Sequence, residues 1–340
     1  MLDILSSYDY RLPAELIAQY PSENRENARL LTVRKADGKL GDRVFADIVN
    51  LLDKNSFLVI NDTRVVRARL PATKITGGRS EVFYLRSAGK SSFYALVKGK
   101  HKRHEKLLLP DNRFVTLEEQ TGDGRWLVSS DTDVENLLER YGKVPLPPYI
   151  LRAAEGIDAE RYQTVYAKYN GSAAAPTAGL HFTEDILKAL EKKGVPIIRV
   201  TLHVGTGTFA PIKSKTLSEH KMHGEVYHIS QSAAERINDC KVKGLKLIAV
   251  GTTTVRALES AADDSGIVRA GENETQLFIK PGYNFKAVDG IITNFHLPKS
   301  TLLVLVCAFL GYEKTRKAYE RAVEQKYRFF SYGDAMLIKE

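Results

Sequence analysis

Between residues 70 and 149 the helical period disappears from this chain, while on either side of that gap strand and helix patterns alternate. Short β-rich runs at 82–85, 93–97, 106–109, 114–117 and 126–128 are separated by the turns Gly89-Lys90-Ser91, Pro110-Asp111-Asn112 and Gly122-Asp123-Gly124. Strands this closely spaced have no helix to carry a parallel crossover, so they pair antiparallel. The expected product is a small antiparallel β-barrel of about eighty residues.

Outside the gap, buried strands are expected at 57–60, 197–204, 245–250 and 291–293, with helices at 183–193, 230–243 and 252–262. Thr183 and Ser230 stand where N-caps belong, and Gly194 and Gly244 where helices end. The fold class is therefore α/β: a large mixed α/β domain (residues 1–69 and 150–340) with an inserted small antiparallel β-barrel domain (70–149). Pro145-Leu146-Pro147-Pro148-Tyr149 serves as the return hinge.

Composition narrows the function classes. At 340 residues the chain has room for about two domains, and 43% apolar with 27% charged residues excludes a disordered, collagen-like or coiled-coil chain. The longest apolar run, 302–310, is about half of what a bilayer needs and reads as a buried helix, so no membrane partner is expected. Asp3 stands where a secretory signal would carry basic residues, so export is not expected. Two cysteines, Cys240 and Cys307, build neither a disulfide framework nor a four-cysteine zinc site; a cytoplasmic monomer is expected.

Charge points to a polyanion. Residues 86–113 hold eight lysines and arginines against Glu105 and Asp111, which supplies +6 of the total +9. Lys98, Lys100, Lys102 and Arg103 crowd one expected hairpin tip, where they would reach nucleic-acid phosphates or simply solvate the loop.

Several segments place small, polar and ring-bearing residues where a strand ends, the usual ligand position of open α/β sheets. Asn61-Asp62-Thr63-Arg64 follows the strand 57–60 and could equally be an Asx turn. The small-residue loop 172–183 runs into a helix, with His181 either in a ligand site or in the core. Leu202-His203-Val204-Gly205-Thr206-Gly207-Thr208-Phe209 imitates a dinucleotide fingerprint, but Pro211 follows and no amphipathic helix begins there. His220, His223 and Glu225 lack a known helical zinc spacing, so a metal is set aside. Val250-Gly251-Thr252-Thr253-Thr254 could cradle a carboxylate or phosphate, or the threonines could only cap. The rings at 328–334 could stack on a base or face a cation, or be core.

These segments, taken in order, resemble one family. NDTRV (61–65), PLPPYI (145–150), ERYQTVYA (160–167), AAPTAGLHFT (174–183), TLHVGTGTF (201–209), AVGTTTVRALE (249–259), TNFHLPKST (293–301) and YRFFSYGDAMLI (327–338) are similar to the S-adenosylmethionine:tRNA ribosyltransferase-isomerases of queuosine biosynthesis. The likeness runs from Tyr8 to the C-terminus. Gly41-Asp42 stands where that family often has a histidine, which speaks against an essential histidine there.

The resemblance implies transfer and isomerisation of the ribosyl group of S-adenosylmethionine onto 7-aminomethyl-7-deazaguanine at the tRNA wobble position. Epoxyqueuosine-tRNA, adenine and methionine would be the products. It implies S-adenosylmethionine as cosubstrate, tRNA as partner, and no tightly bound cofactor or metal. A sulfonium acidifies the ribose C5′ proton, so a base is needed near that carbon, with a donor to help adenine leave. His181 and His203 are the acid–base candidates, with Asp62 a catalytic or positioning carboxylate. Substrate-binding candidates are Arg64, Thr177, Gly179, Gly205, Gly207, Thr252, Thr253, Arg256, Asn294, His296, Phe329, Phe330 and Tyr332. Lys98, Lys100, Lys102 and Arg103 are the tRNA-binding candidates. A methyltransferase using the same cosubstrate, or a non-catalytic RNA-binding protein, are the alternatives.

Overall fold

The computed structural model describes residues 2–122, 124–205 and 212–340. The chain opens with β1 (Arg29–Arg34), β2 (Leu40–Val44), the single turn α1 (Ile48–Leu51), β3 (Ser56–Asn61) and β4 (Thr63–Val65). The insertion adds β5 (Arg69–Lys74), β6 (Arg79–Gly89), β7 (Ser92–Val97), β8 (Glu105–Leu108), β9 (Phe114–Gln120), β10 (Trp126–Ser130) and α2 (Val134–Tyr141). Then follow α3 (Gly156–Arg161), β11 (Tyr169–Ser172), α4 (Glu184–Lys192), β12 (Ile197–Leu202), β13 (Glu225–Ile229), α5 (Gln231–Val242) and β14 (Lys246–Val250). The chain ends with α6 (Thr252–Ala261), β15 (Gly271–Thr275), β16 (Gly290–Asn294), α7 (Thr301–Leu310), α8 (Tyr312–Glu324) and β17 (Ala335–Lys339).

A nine-stranded mixed sheet in the order β15-β13-β12-β3-β14-β16-β17-β1-β2 organises the larger part. Strand β3, at its middle, is buried along its whole length, as a strand covered on both faces must be. Alternation along it divides the core: Phe57 and Val59 face the cluster that includes α5, α6, α7 and α8. Leu58 and Ile60 face Phe182, Ile186 and Leu190 on the α4 side. Thr183 caps α4 by accepting from the Ile186 N–H, and Ser230 caps α5 by accepting from that of Ala233. The apolar run expected to form a buried helix is α7. Among the described residues no helix is long and apolar enough to cross a membrane.

Five strands of this sheet, β1, β2, β13, β15 and β17, were not expected from the sequence. The outer strands β2 and β15 are largely exposed and polar, so apolar alternation is missing where only one edge is paired.

The inserted segment closes as a barrel in the order β10-β7-β6-β5-β8-β9. Five of these strands match the sequence expectation. The sixth, β5, holds Pro71, which suppresses a strand reading although it pairs with Glu81. A helix was not expected in the insertion, yet α2 presents Val134, Leu137, Leu138 and Tyr141 to the barrel core. Outgoing and returning chain meet at the bridge between Arg69 and Lys143.

Candidate active site at the carboxyl edge of the sheet

Strands β12, β3, β14 and β16 run parallel, so all their carboxyl ends lie on one edge. That edge gathers Asn61-Asp62-Thr63, His203, Gly251-Thr252-Thr253 and Asn294. At the end of β3, successive side chains bond to different parts of β12. Asn61 accepts from the Leu202 N–H at 3.0 Å and donates to its carbonyl at 3.0 Å, extending the ladder by a side chain. Asp62 Oδ1 accepts from Thr201 Oγ1 at 2.7 Å. Thr63 Oγ1 meets His203 Nδ1 at 2.8 Å. Arg64 turns outward and donates to the Ala167 carbonyl at 3.1 Å.

Burial tunes these groups. It raises the Asp62 carboxyl above its ordinary value, against the Thr201 hydroxyl that holds it down. It lowers His203, outweighing the nearby Glu272. His203 is thus neutral at pH 7 and half-exposed, its ring packed on Gly171, where a Cβ would stand 2.9 Å from the imidazole.

His181 ends the 3-10 turn Thr177–His181, which half-buried Thr177 opens. Its Nε2 lies 3.2 Å from Asn294 Nδ2, and its ring is tilted against Phe45. Burial pushes its pKa down to about 3, helped by the charges of Arg25 and Arg328. Asn294 Nδ2 also donates to the carbonyls of Phe330 and Asp334, while its Oδ1 is buried without a partner among the described residues. Gly179 admits no side chain, since a Cβ would fall 2.1 Å from Tyr166 Oη.

The remaining candidates divide. Thr252 and Thr253 are buried at the start of α6, just after Gly251 at φ +92°. Gly205 donates its N–H to Glu225 Oε1 at 3.1 Å. Arg256 is spent inside the protein: its guanidinium pairs with Glu225 and donates to the carbonyls of Thr275 and Leu277. Glu225 thereby serves Arg256, and no group of three His, Cys, Asp or Glu among the described residues is arranged to hold a metal. His296 is bonded to Thr293 Oγ1 and Tyr319 Oη and driven by burial to about 3, which is a core histidine's environment. Phe329 packs among Tyr10, Phe295 and Tyr319 in the core. Phe330, at φ +68°, stacks on Tyr149, and Tyr332 donates to Asp158 Oδ1 at 2.6 Å. Gly207, with Thr206, Thr208 and Phe209, lies outside the described residues, as does Asp123 of the barrel turn.

A cleft of about 880 Å³ opens between the barrel and this edge, lined by Arg64, Tyr84, Lys90, Tyr162, Lys168 and Gly171 among others. Gly171 connects it to His203. The exposed cations Lys98, Lys100, Lys102 and Arg103 occupy the β7–β8 connection, at the opposite end of β7 from the β6–β7 turn that borders the cleft. Sequence reasoning passed over the buried hydroxyls of Thr164 and Tyr166, which have no hydrogen-bond partner among the described residues. Their signal lay in the segment 160–167, one of those that carry the family resemblance.

A family model described as queuosine biosynthesis protein matches residues 5–338. The chain belongs to this family. It is 50% identical over 339 residues to the S-adenosylmethionine:tRNA ribosyltransferase-isomerase of Citrifermentans bemidjiense, covering 98% of this chain and 99% of that one. The enzyme of the same name from Symbiobacterium thermophilum is 51% identical over 340 residues, covering 98% and 99%. The crystal structure of S-adenosylmethionine tRNA ribosyltransferase from Thermotoga maritima superposes with a TM-score of 0.56 at 32% identity, over 98% of this chain and all of that one. Both the large mixed sheet and the inserted barrel therefore belong to a queuosine biosynthesis chain, and the carboxyl-edge constellation is its candidate site.

Proposed function

We propose that this chain is an S-adenosylmethionine:tRNA ribosyltransferase-isomerase. It transfers and isomerises the ribosyl group of S-adenosylmethionine onto 7-aminomethyl-7-deazaguanine in the tRNA anticodon and releases adenine and methionine. The observation that carries this reading is about 50% identity to enzymes of that name over 98% of the chain. S-adenosylmethionine is consumed as a substrate, and the reading requires no resident cofactor or metal. Two free cysteines and an RNA substrate suit a cytoplasmic monomer.

The residues divide the work by their environments. His203, neutral through burial yet beside the cleft, is the base that takes the C5′ proton of the sulfonium. When its Nδ1–H donates to Thr63 Oγ1, Nε2 carries the lone pair. His181 holds a proton too weakly to shuttle one, so it acts as a neutral hydrogen-bonding group fixed by Asn294. Asp62 holds the β3 and β12 ends together through Thr201 and positions the base. Arg64 and Lys168 line the cleft as cations for the RNA.

Purified protein incubated with S-adenosylmethionine and tRNA carrying the aminomethyl-deazaguanine should release adenine and methionine in equal amounts. Formation of S-adenosylhomocysteine would mean methyl transfer instead, and tRNA binding without consumption of the sulfonium would mean an RNA-binding protein.

A further inference from the structure

Behind His181 lies a group of arginines that the reaction as described does not use. Arg25, Arg161 and His181 line one small pocket together with Ser22, Ser331 and Tyr332. Arg328 reaches the same place, donating to Ser22 Oγ at 3.1 Å and to the Tyr20 carbonyl. Arg25 donates to the carbonyls of Leu180 and Glu160, and Arg161 to those of Ser22 and Glu23. Three guanidiniums thus converge with neutral oxygens as their partners. Among the described residues none of the three has a carboxylate within ion-pair distance. The neighbouring acids attract these charges without pairing with them: Asp334 accepts the backbone N–H groups of Arg29 and Arg328 and favours the charged Arg328 from there, and Glu160 gives Arg25 its carbonyl while its carboxylate favours the charged Arg25 at a distance.

The arrangement is costly as it stands. Burial, and then the adjacent Arg161 charge, lower Arg25 against the pull of Glu160, and burial lowers Arg328 against that of Asp334. Arg161 Nε is buried and has no hydrogen-bond partner among the described residues. Neutral donors would hold the carbonyls of 20, 22, 23, 160 and 180 equally well, whereas Arg25 and Arg161 repel one another and burial disfavours the charge of Arg328, costs that a bound anion would offset.

We infer that Arg25, Arg161 and Arg328 form an oxyanion site beside His181, which takes either the α-carboxylate of the sulfonium substrate or a phosphate of the RNA backbone. The inference rests on the proposed ribosyl transfer, because both anions belong to its substrates. Guanidinium forks match carboxylate and phosphate alike, so the two sources separate by experiment rather than by geometry.

The test uses wild-type protein and Arg161→Gln, which keeps an amide donor for the 22–23 carbonyls and removes the charge. S-adenosylmethionine binding is measured by calorimetry without RNA, and tRNA binding as a function of salt. If the carboxylate is the ligand, Arg161→Gln weakens S-adenosylmethionine tenfold or more, and wild type binds the decarboxylated analogue equally weakly. If a phosphate is the ligand, S-adenosylmethionine binding is unchanged and the log–log salt slope for tRNA falls by roughly 0.7–0.9. Unchanged affinity and unchanged slope would overturn the site and leave the arginines as staples of the backbone. Should the variant not fold, modification of Arg161 by phenylglyoxal in wild type decides: protection by S-adenosylmethionine or tRNA supports the site, and protection by neither overturns it. Adenine release by wild type is recorded alongside, so that failure of the parent reaction is recognised separately.

Discussion

Thr63 Oγ1 lies 2.8 Å from His203 Nδ1, although the two residues are 140 positions apart in the chain. They meet because β3 and β12 are neighbouring parallel strands that end at the same edge. One ring nitrogen is thereby fixed and the other left for chemistry, which makes the pair more informative than either residue alone.

His203→Gln should lower kcat by roughly a hundredfold or more with little change in Tm, the loss expected of a general base. The base must be neutral to act. Because burial depresses its pKa, wild-type kcat/KM should hold below pH 6.5 and decline only as pH falls through that depressed value. Thr63→Val should lower kcat less and shift this acidic limb, whereas a purely structural threonine would leave the limb in place.

Gly179→Ala would put a Cβ 2.1 Å from Tyr166 Oη and 2.8 Å from Thr164 Cγ2. Overpacking of this kind costs about 1–3 kcal/mol. Tyr166→Phe removes the closest atom and should recover part of that loss in the double variant, read by urea unfolding. Alone, Tyr166→Phe should not destabilise, since its hydroxyl is buried without a partner among the described residues.

The Glu225–Arg256 pair is buried, with both side chains at most 6% exposed. Arg256→Met should cost roughly 3–5 kcal/mol by removing the ion-pair partner of a buried carboxylate. The double variant Glu225→Gln, Arg256→Met should be less destabilised than the sum of the single ones. A soluble, stable Arg256→Met protein with weakened S-adenosylmethionine binding would instead restore Arg256 to the substrate.

What could be read in advance follows from how each signal is encoded. The parallel strands β3, β12, β14 and β16 announce themselves by continuous apolar runs, and Thr183 and Ser230 by their place before helices. Edge strands such as β15 carry no such run, and Pro71 disguised β5. At the site, His181 and His203 were legible as rings at the ends of elements. Arg256 and His296 were equally legible, but only tertiary packing turns one into half of an internal ion pair and the other into a core residue. The arginine group could not be seen at all, because Arg25, Arg161 and Arg328 come from three distant segments.

Acid should unfold the protein partly through its buried histidines. His181 and His296 are both held by burial near 3, far below their ordinary value, so they are neutral when folded and protonated when unfolded below pH 6.5. The unfolded state binds the extra protons, so stability falls as pH drops from 6.5 towards 3. Each histidine contributes about 1.4 kcal/mol per pH unit to that slope. Urea unfolding of His296→Gln between pH 6 and 4 should show a slope smaller by this amount, and an identical slope would mean that His296 is protonated in the folded protein.

Lys98, Lys100 and Lys102 are exposed on the β7–β8 connection and have no carboxylate within ion-pair distance among the described residues, while Arg103 Nε is tied to the Glu118 carbonyl. Strand β7 spans six residues, so this loop stands roughly 17–20 Å from the cleft end of the barrel. That distance is too great for contact with the ribose but well within reach of an RNA whose anticodon lies in the cleft. Replacing Lys100, Lys102 and Arg103 by Ala should therefore weaken tRNA binding and flatten its log–log salt dependence by roughly 0.7–0.9 per lost phosphate contact. Adenine release at saturating tRNA should hardly change, because cations that position the RNA backbone would take no part in bond making. Wild-type affinity with an unchanged salt slope would show that the loop faces solvent and that the RNA is held by the cleft alone.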